Sequence, residues 1–147
     1  MLSRKDIIDY SVRMGCKKDL LSKGMVMNGA GDVFCIATLV GVYPDGEYYK
    51  KGIKSPKEAH YCGVYGKGAD GRLDYSNPET RKNVFVTRTD GIKKFVYFFE
   101  KTSKYSKEYF FHGRYKYMDH KMIKGIDSEH DEDISFHLSF VDRPIIK

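Results

Sequence analysis

A nearly unbroken apolar stretch runs from Val33 to Val42 and is rich in β-branched residues. Successive apolar positions suit a strand covered on both faces, so the run predicts a central strand. Phe95 to Glu100 and Tyr109 to Tyr117 are aromatic runs and predict two more core strands. Ile134 to Val141 behaves differently. Ile134, Phe136, Leu138 and Phe140 alternate with Ser135, His137 and Ser139, the period of a half-buried strand. Near the N-terminus the pattern is helical. Ser3 is a capping residue, Asp6 holds the capping-box position, and Ile7, Ile8, Val12 and Met14 supply an apolar face. With Gly15 as the stop, a helix over 4–14 is expected. A short turn follows from Asp19 to Lys23.

The polar stretches punctuate these elements. Residues 24–31 contain Gly24, Asn28, Gly29 and Gly31 and read as loop. Tyr43-Pro44-Asp45-Gly46 is a turn, because proline presets one dihedral and glycine permits a positive one. Glu47 to Tyr49 begins a strand, Lys50 to Ala59 reads as loop, and His60 to Tyr65 as a short strand. Asn77-Pro78-Glu79 has the form of a helix start, with Gly91 as its end. Val84-Phe85-Val86-Thr87 inside that span has strand propensity, so local pattern leaves helix and strand open there. Lys101 to Lys107 is a hairpin connection, and His130 to Asp133 closes an acidic loop. No linker or repeat divides the 147 residues, which read as one domain.

One segment stands out from the loops. Tyr61 to Gly71 holds four glycines with Tyr61, Tyr65, Lys67 and Asp70. Glycine lets a ligand approach the main chain. Tyrosine faces stack on flat groups, a carboxylate accepts from amino groups, and lysine meets phosphate. The segment reads either as a nucleic-acid recognition loop or as a long hairpin turn.

Charge favours the first reading. The formal net charge is +6. Residues 127–147 set Arg143 and Lys147 against six acids, a balance of −4, which leaves +10 on residues 1–126. Such an excess favours a polyanion, with nucleic acid ahead of acidic lipid or protein. Cys16, Cys35 and Cys62 form no C-x-x-C pair, so zinc-knuckle and redox motifs are unsupported, and reduced thiols point to the cytoplasm. No signal peptide or membrane-length apolar run is present.

The order of the local patterns carries a resemblance. Tyr43-Pro44-Asp45 comes first, then Tyr61-Cys62-Gly63-Val64-Tyr65-Gly66-Lys67-Gly68-Ala69-Asp70, then Asn83 and Gly91. Val96-Tyr97-Phe98-Phe99-Glu100 and Tyr109-Phe110-Phe111-His112-Gly113-Arg114-Tyr115 follow. Over residues 24–144 this resembles the SRA-like (YDG) domains, in particular those attached to bacterial HNH endonucleases that restrict modified DNA. The glycine segment is one residue longer at its centre than the family pattern, and Val84 stands where a small residue is usual. The resemblance implies an α+β, PUA-like curved β barrel with an N-terminal helix and a short internal helix over Glu79 to Asp90. It implies binding of double-stranded DNA with a modified cytosine turned out of the duplex. Tyr43, Tyr61 and Tyr65 are then candidates for stacking, and Asp45 and Asp70 for accepting from the base amino group, with Gly63 in the same loop. Lys67, Arg72, Arg81 and Lys82 are candidates for phosphate contacts.

Catalytic signals are thin. Asp119-His120-Lys121 matches the D-x-K half of a nuclease site without a separate acid paired to it in sequence. The acids around His130 lack calcium-loop spacing, and Cys62 near His60 is no nucleophile motif by itself. The expectation is a binding module with no cofactor and no catalysis of its own, working beside a separate nuclease. The rival readings are a small metal-dependent nuclease or enzyme acting on modified nucleotides, a PUA-like RNA-binding protein, and a protein-binding module.

Overall fold

A computed structural model describes residues 1–17, 19–37, 48–49, 51–62, 94–103, 107–124 and 132–146. Its elements are α1 (Arg4–Arg13), α2 (Leu20–Lys23), β1 (Met25–Met27), β2 (Val33–Ala37), β3 (Glu58–Cys62), β4 (Val96–Lys101), β5 (Tyr109–Lys124) and β6 (Glu132–Asp142). The six described strands form one sheet in the order β1-β2-β4-β5-β6-β3. Among the described strands, only the β2–β4 pair is parallel.

The sheet is buried on both faces where the sequence is apolar without interruption. In β2 the inner core takes Val33, Cys35 and Ala37, and the outer layer takes Phe34 and Ile36. β4 divides likewise, with Val96 and Phe98 inside and Tyr97 and Phe99 outside. The inner core draws from all six strands, adding Met25, Ala59, Tyr61, Tyr115, Ile134, Phe136 and Leu138. One core shared by both edge strands requires a strongly curved sheet. The Tyr61 hydroxyl, on edge strand β3, lies 3.4 Å from the carbonyl of Gly24, which precedes the opposite edge strand β1. Among the described residues the sheet stays open between those edges.

Two bulges on the β5–β6 pair bend the long strand. Arg114 and Tyr115 face Asp142 and Phe140, leaving Val141 extra; Tyr117 and Asp119 face Leu138 and His137, leaving Met118 extra. Both extra residues are exposed. Such insertions strengthen local twist and let a sheet curl.

Helix α1 covers the outer face. Its capping box is formed, with Ser3 Oγ accepting from Asp6 N and Asp6 accepting from Ser3 N. Its buried side chains are Ile7, Tyr10 and Ser11. Ile8 and Val12 are exposed, contrary to the expected apolar face. The true stripe follows i, i+3, i+4 spacing from Ile7, which helical geometry places on one side. Tyr10 meets the rings of Phe34, Phe99 and Phe111, and Phe34 and Tyr97 stack at 4.4 Å.

Five further readings are corrected. Met25–Met27 is a strand inside the expected 24–31 loop, paired to Cys35–Val33. Tyr48 and Tyr49 lie in a turn rather than opening a strand. β5 continues past Tyr117 to Lys124, and Glu132 and Asp133 belong to its partner strand rather than to a loop. Glu58 and Ala59 belong to β3. The internal helix expected over 79–90 and the turn at 43–46 lie outside the described residues. Among the described residues no helix is long and apolar enough to cross a membrane.

Candidate nucleic-acid interface

Of the residues singled out for nucleic acid, Tyr61 is described; Tyr43, Asp45, Gly63, Tyr65, Lys67, Asp70, Arg72, Arg81 and Lys82 lie outside the described residues. Tyr61 is 4% exposed, with its ring edge-on to Phe98 at 6.3 Å. It pairs with Phe136 across the ladder, and Cys62 pairs with Ser135. In sequence the glycine segment follows β3, whose Tyr61 is fixed in the core.

Tyr48 and Tyr49, which follow Asp45 closely in sequence, are firmly anchored. Glu100 is fully buried, yet both oxygens of its carboxylate have partners. Oε2 accepts from Tyr48 N at 2.9 Å and Oε1 from Tyr49 N at 2.6 Å. His112, also fully buried, lies with Nε2 3.2 Å from Oε1. The backbone N–H of Ser55 donates to His112 Nδ1 at 2.9 Å. A backbone N–H can only donate, so Nδ1 is the unprotonated nitrogen and Nε2–H points at Glu100. His112 is thus neutral, and the pair is a charge-assisted hydrogen bond rather than an ion pair. Buried networks in which every member is satisfied rigidify what they hold. Here they hold both ends of the turn from Tyr48 to Ser55.

Strand irregularity aims these groups. Phe98 pairs with Gly113 but Phe99 pairs with Phe111, so His112 is the extra residue of a bulge on β5. Gly113 has φ +127°, and a Cβ there would sit 2.4 Å from the Asp142 carbonyl. Only glycine fits. On β4, period-2 alternation from Val96 and Phe98 turns Glu100 inward. The Tyr48 ring packs edge-on against Phe98 and His112, and its hydroxyl accepts from His60 N at 3.0 Å. Tyr115 donates to the carbonyl of Pro56 at 2.8 Å; burial pushes its phenol well above the ordinary value. Sequence reading treated Glu100 and His112 only as motif letters. The available signal was a charged residue at an inward strand position and a histidine inside an aromatic run.

The exposed face of β3, β6 and β5 carries a different cluster. His60 stacks on His137 at 5.2 Å. His137 contacts Glu58 through Nε2, and its Nδ1 is 3.5 Å from Asp119. Glu58 is the acid that joins the D-x-K triplet in space, but His137 stands between the two carboxylates. His120 is engaged by the Tyr117 hydroxyl at 2.5 Å. Among the described residues no group of histidine, cysteine and carboxylate side chains is arranged to hold a metal ion. Arg114 forks onto Asp142 at 2.6 and 2.5 Å. That contact holds the Asp142 carboxyl below its ordinary value and raises the guanidinium.

No protein-family model and no curated protein matches the sequence. Solved structures do match. One is a modification-dependent restriction endonuclease, TagI, at TM-score 0.56 and 19% identity, covering 80% of this chain and 41% of that one. Another holds the sulfur-binding and SRA domains of ScoMcrA complexed with phosphorothioated DNA. It matches at TM-score 0.52 and 14% identity, over 79% of this chain and 32% of that one. The chain therefore spans less than half the length of either. With a curved mixed sheet, a helix on its outer face and these two neighbours, the chain has the PUA-like fold of SRA-like domains.

Proposed function

We propose that this chain is a single DNA-binding module that recognises a modified base, most simply a cytosine, turned out of the duplex. The supporting observation is the fold shared with a modification-dependent restriction endonuclease and with a chain complexed with phosphorothioated DNA. In this reading Tyr65 and Tyr43 offer faces to the base, while Tyr61, expected to stack as well, is packed in the core against Phe98 instead. Asp70 and Asp45 accept from the exocyclic amino group. Lys67, Arg72, Arg81 and Lys82 take phosphates. Extruding a base costs a few kcal/mol, and an aromatic face returns roughly 1–3 kcal/mol per base. Cleavage then belongs to a separate nuclease in a restriction or defence setting. A cytoplasmic location fits the buried, reduced thiols of Cys16 and Cys35; burial pushes Cys16 up to about 11.

The test is a binding panel of short duplexes differing in one position: cytosine, methylcytosine, hydroxymethylcytosine, glucosylated hydroxymethylcytosine, and a phosphorothioate linkage beside plain cytosine. One base-modified duplex should bind more tightly than plain cytosine. Tyr65→Ala should then erode that preference by about 5- to 150-fold, the equivalent of one lost stack, and Asp70→Ala should act in the same direction. Lys67→Ala should weaken all duplexes alike. Equal binding across the panel overturns the reading, as does a preference for the phosphorothioate alone.

A further inference from the structure

Lys50 to Ala59 reads from sequence as a polar loop, yet the described backbone from Tyr48 to Lys57 is fastened unusually well. Glu100 takes two of its backbone N–H groups, His112 takes that of Ser55, and Tyr115 donates to Pro56. Gly52 N and Ile53 N return to the carbonyls of Tyr49 and Tyr48 at 2.9 and 2.7 Å. Phe140 N donates to the Lys57 carbonyl, which joins the loop's end to β6. Ser55 is held at φ +53°, the left-handed region that non-glycine residues rarely adopt. Backbone held in such conformations by its surroundings clusters at binding sites.

This fastened backbone displays three exposed lysines at a spacing of three: Lys51, Lys54 and Lys57. Arg143 joins them, with Nη1 3.4 Å from Ser55 Oγ and its guanidinium 5.5 Å over the Phe110 ring. No described carboxylate neutralises them. Glu58 is turned to His137, and Glu100 is spent inside on backbone donors. Lys94 and Arg114, by contrast, are engaged with Ala30 and Asp142.

We propose that Lys51, Lys54, Lys57 and Arg143 form a pre-set cationic platform that grips the sugar-phosphate backbone of duplex DNA. It acts alongside the base-recognition segments, and so rests on the DNA-binding reading above. A platform whose main chain is already ordered loses less freedom on binding. Lysine ammonium groups suit phosphate as point charges, and the contact carries no sequence information.

The measurement is the dependence of affinity on salt for the full chain, on a modified duplex and on its plain counterpart. Each phosphate neutralised contributes about 0.9 to the slope of log affinity against log salt. The variant K51Q/K54Q/K57Q should lower that slope by about two to three on both duplexes. The ratio of the two affinities should stay as in the unsubstituted chain. Arg143→Gln alone should lower the slope by about one. Thermal melting of the triple variant should match the parent, because all three side chains are exposed. An unchanged slope on both duplexes overturns the platform while leaving base recognition intact. Loss of the ratio with the slope unchanged overturns it too, since the loop would then be reading the base. Should the parent chain prefer no modified duplex, base recognition fails, and the slope on plain DNA still decides this inference.

Discussion

Two glutamate–histidine pairs in this molecule share their chemistry and differ in everything else. Glu100 and His112 have fully buried side chains. Glu58 and His137 have side chains 56% and 29% exposed on the outer sheet face. The buried pair fastens a turn through three backbone N–H groups, while the exposed pair joins two neighbouring strands that the ladder already joins. Water can replace any partner the exposed pair loses. Nothing can replace a partner inside. The pair that determines where a functional loop sits is therefore the hidden one, although the exposed one looks more like an active site.

The sharpest way to break that contrast is Glu100→Ala. It strips the acceptor from Tyr48 N, Tyr49 N and His112 Nε2 at once. Each buried donor left without its acceptor costs about 1–3 kcal/mol, against a total stability on the order of 5–15 kcal/mol. The urea midpoint should fall accordingly. Glu100→Gln should lose less, because the amide keeps one accepting oxygen while turning its NH2 toward a donor. A melting curve for Glu100→Ala that overlays the parent would mean the turn is held by something else.

How much of this was legible in the sequence depends on whether burial leaves a period. β2 and β4 were readable as continuous apolar runs because both faces are covered, and β6 as an alternation because one face is. The cap of α1 was readable from Ser3 and Asp6, since a capping box is local chemistry. Met25–Met27 was hidden by the glycines around it, being too short to show a period. The far half of β5 was hidden for a different reason. Past Tyr117, Met118 to Lys121 carries mainly polar, exposed side chains and is defined by pairing with β6. Tyr48 and Tyr49 have strand propensity, but Glu100, some fifty residues away, takes their N–H groups into a turn. No local pattern reports a partner at that distance. Of the candidate site, the sequence offered the residues and the structure offered the anchors.

An intermediate case tests whether burial grades the effect. Arg114 and Asp142 form a two-pronged pair with side chains 27% and 48% exposed. Arg114 holds the Asp142 carboxyl below its ordinary value, chiefly by hydrogen bonding. A carboxyl whose folded value is depressed contributes its stability in full above the unfolded value. That contribution disappears as pH falls through the lowered folded value, and the guanidinium stays charged throughout. Asp142→Asn should therefore be less stable than the parent at neutral pH, by less than Glu100→Ala. The gap between the two urea midpoints should close as the solution is taken into the acid range. A gap that persists in strong acid would assign the loss to packing around β6 rather than to charge.

The smallest effect belongs to His137. Its ring nitrogens face Glu58 and Asp119, and its face lies on His60, so a count of contacts would rank it high. Each of those contacts is open to water and salt. Exposed pairs of this kind are worth about 0–1 kcal/mol, because solvent screens the attraction and ordering two side chains offsets it. His137→Ala should shift the urea midpoint by no more than that, and added salt should shrink the difference further. Glu58→Ala combined with His137→Ala should cost little beyond either alone, since each single change already removes the contact. A loss as large as that of Glu100→Ala would mean that the outer row is a clamp in its own right. Burial would then have been the wrong variable on which to divide the two pairs.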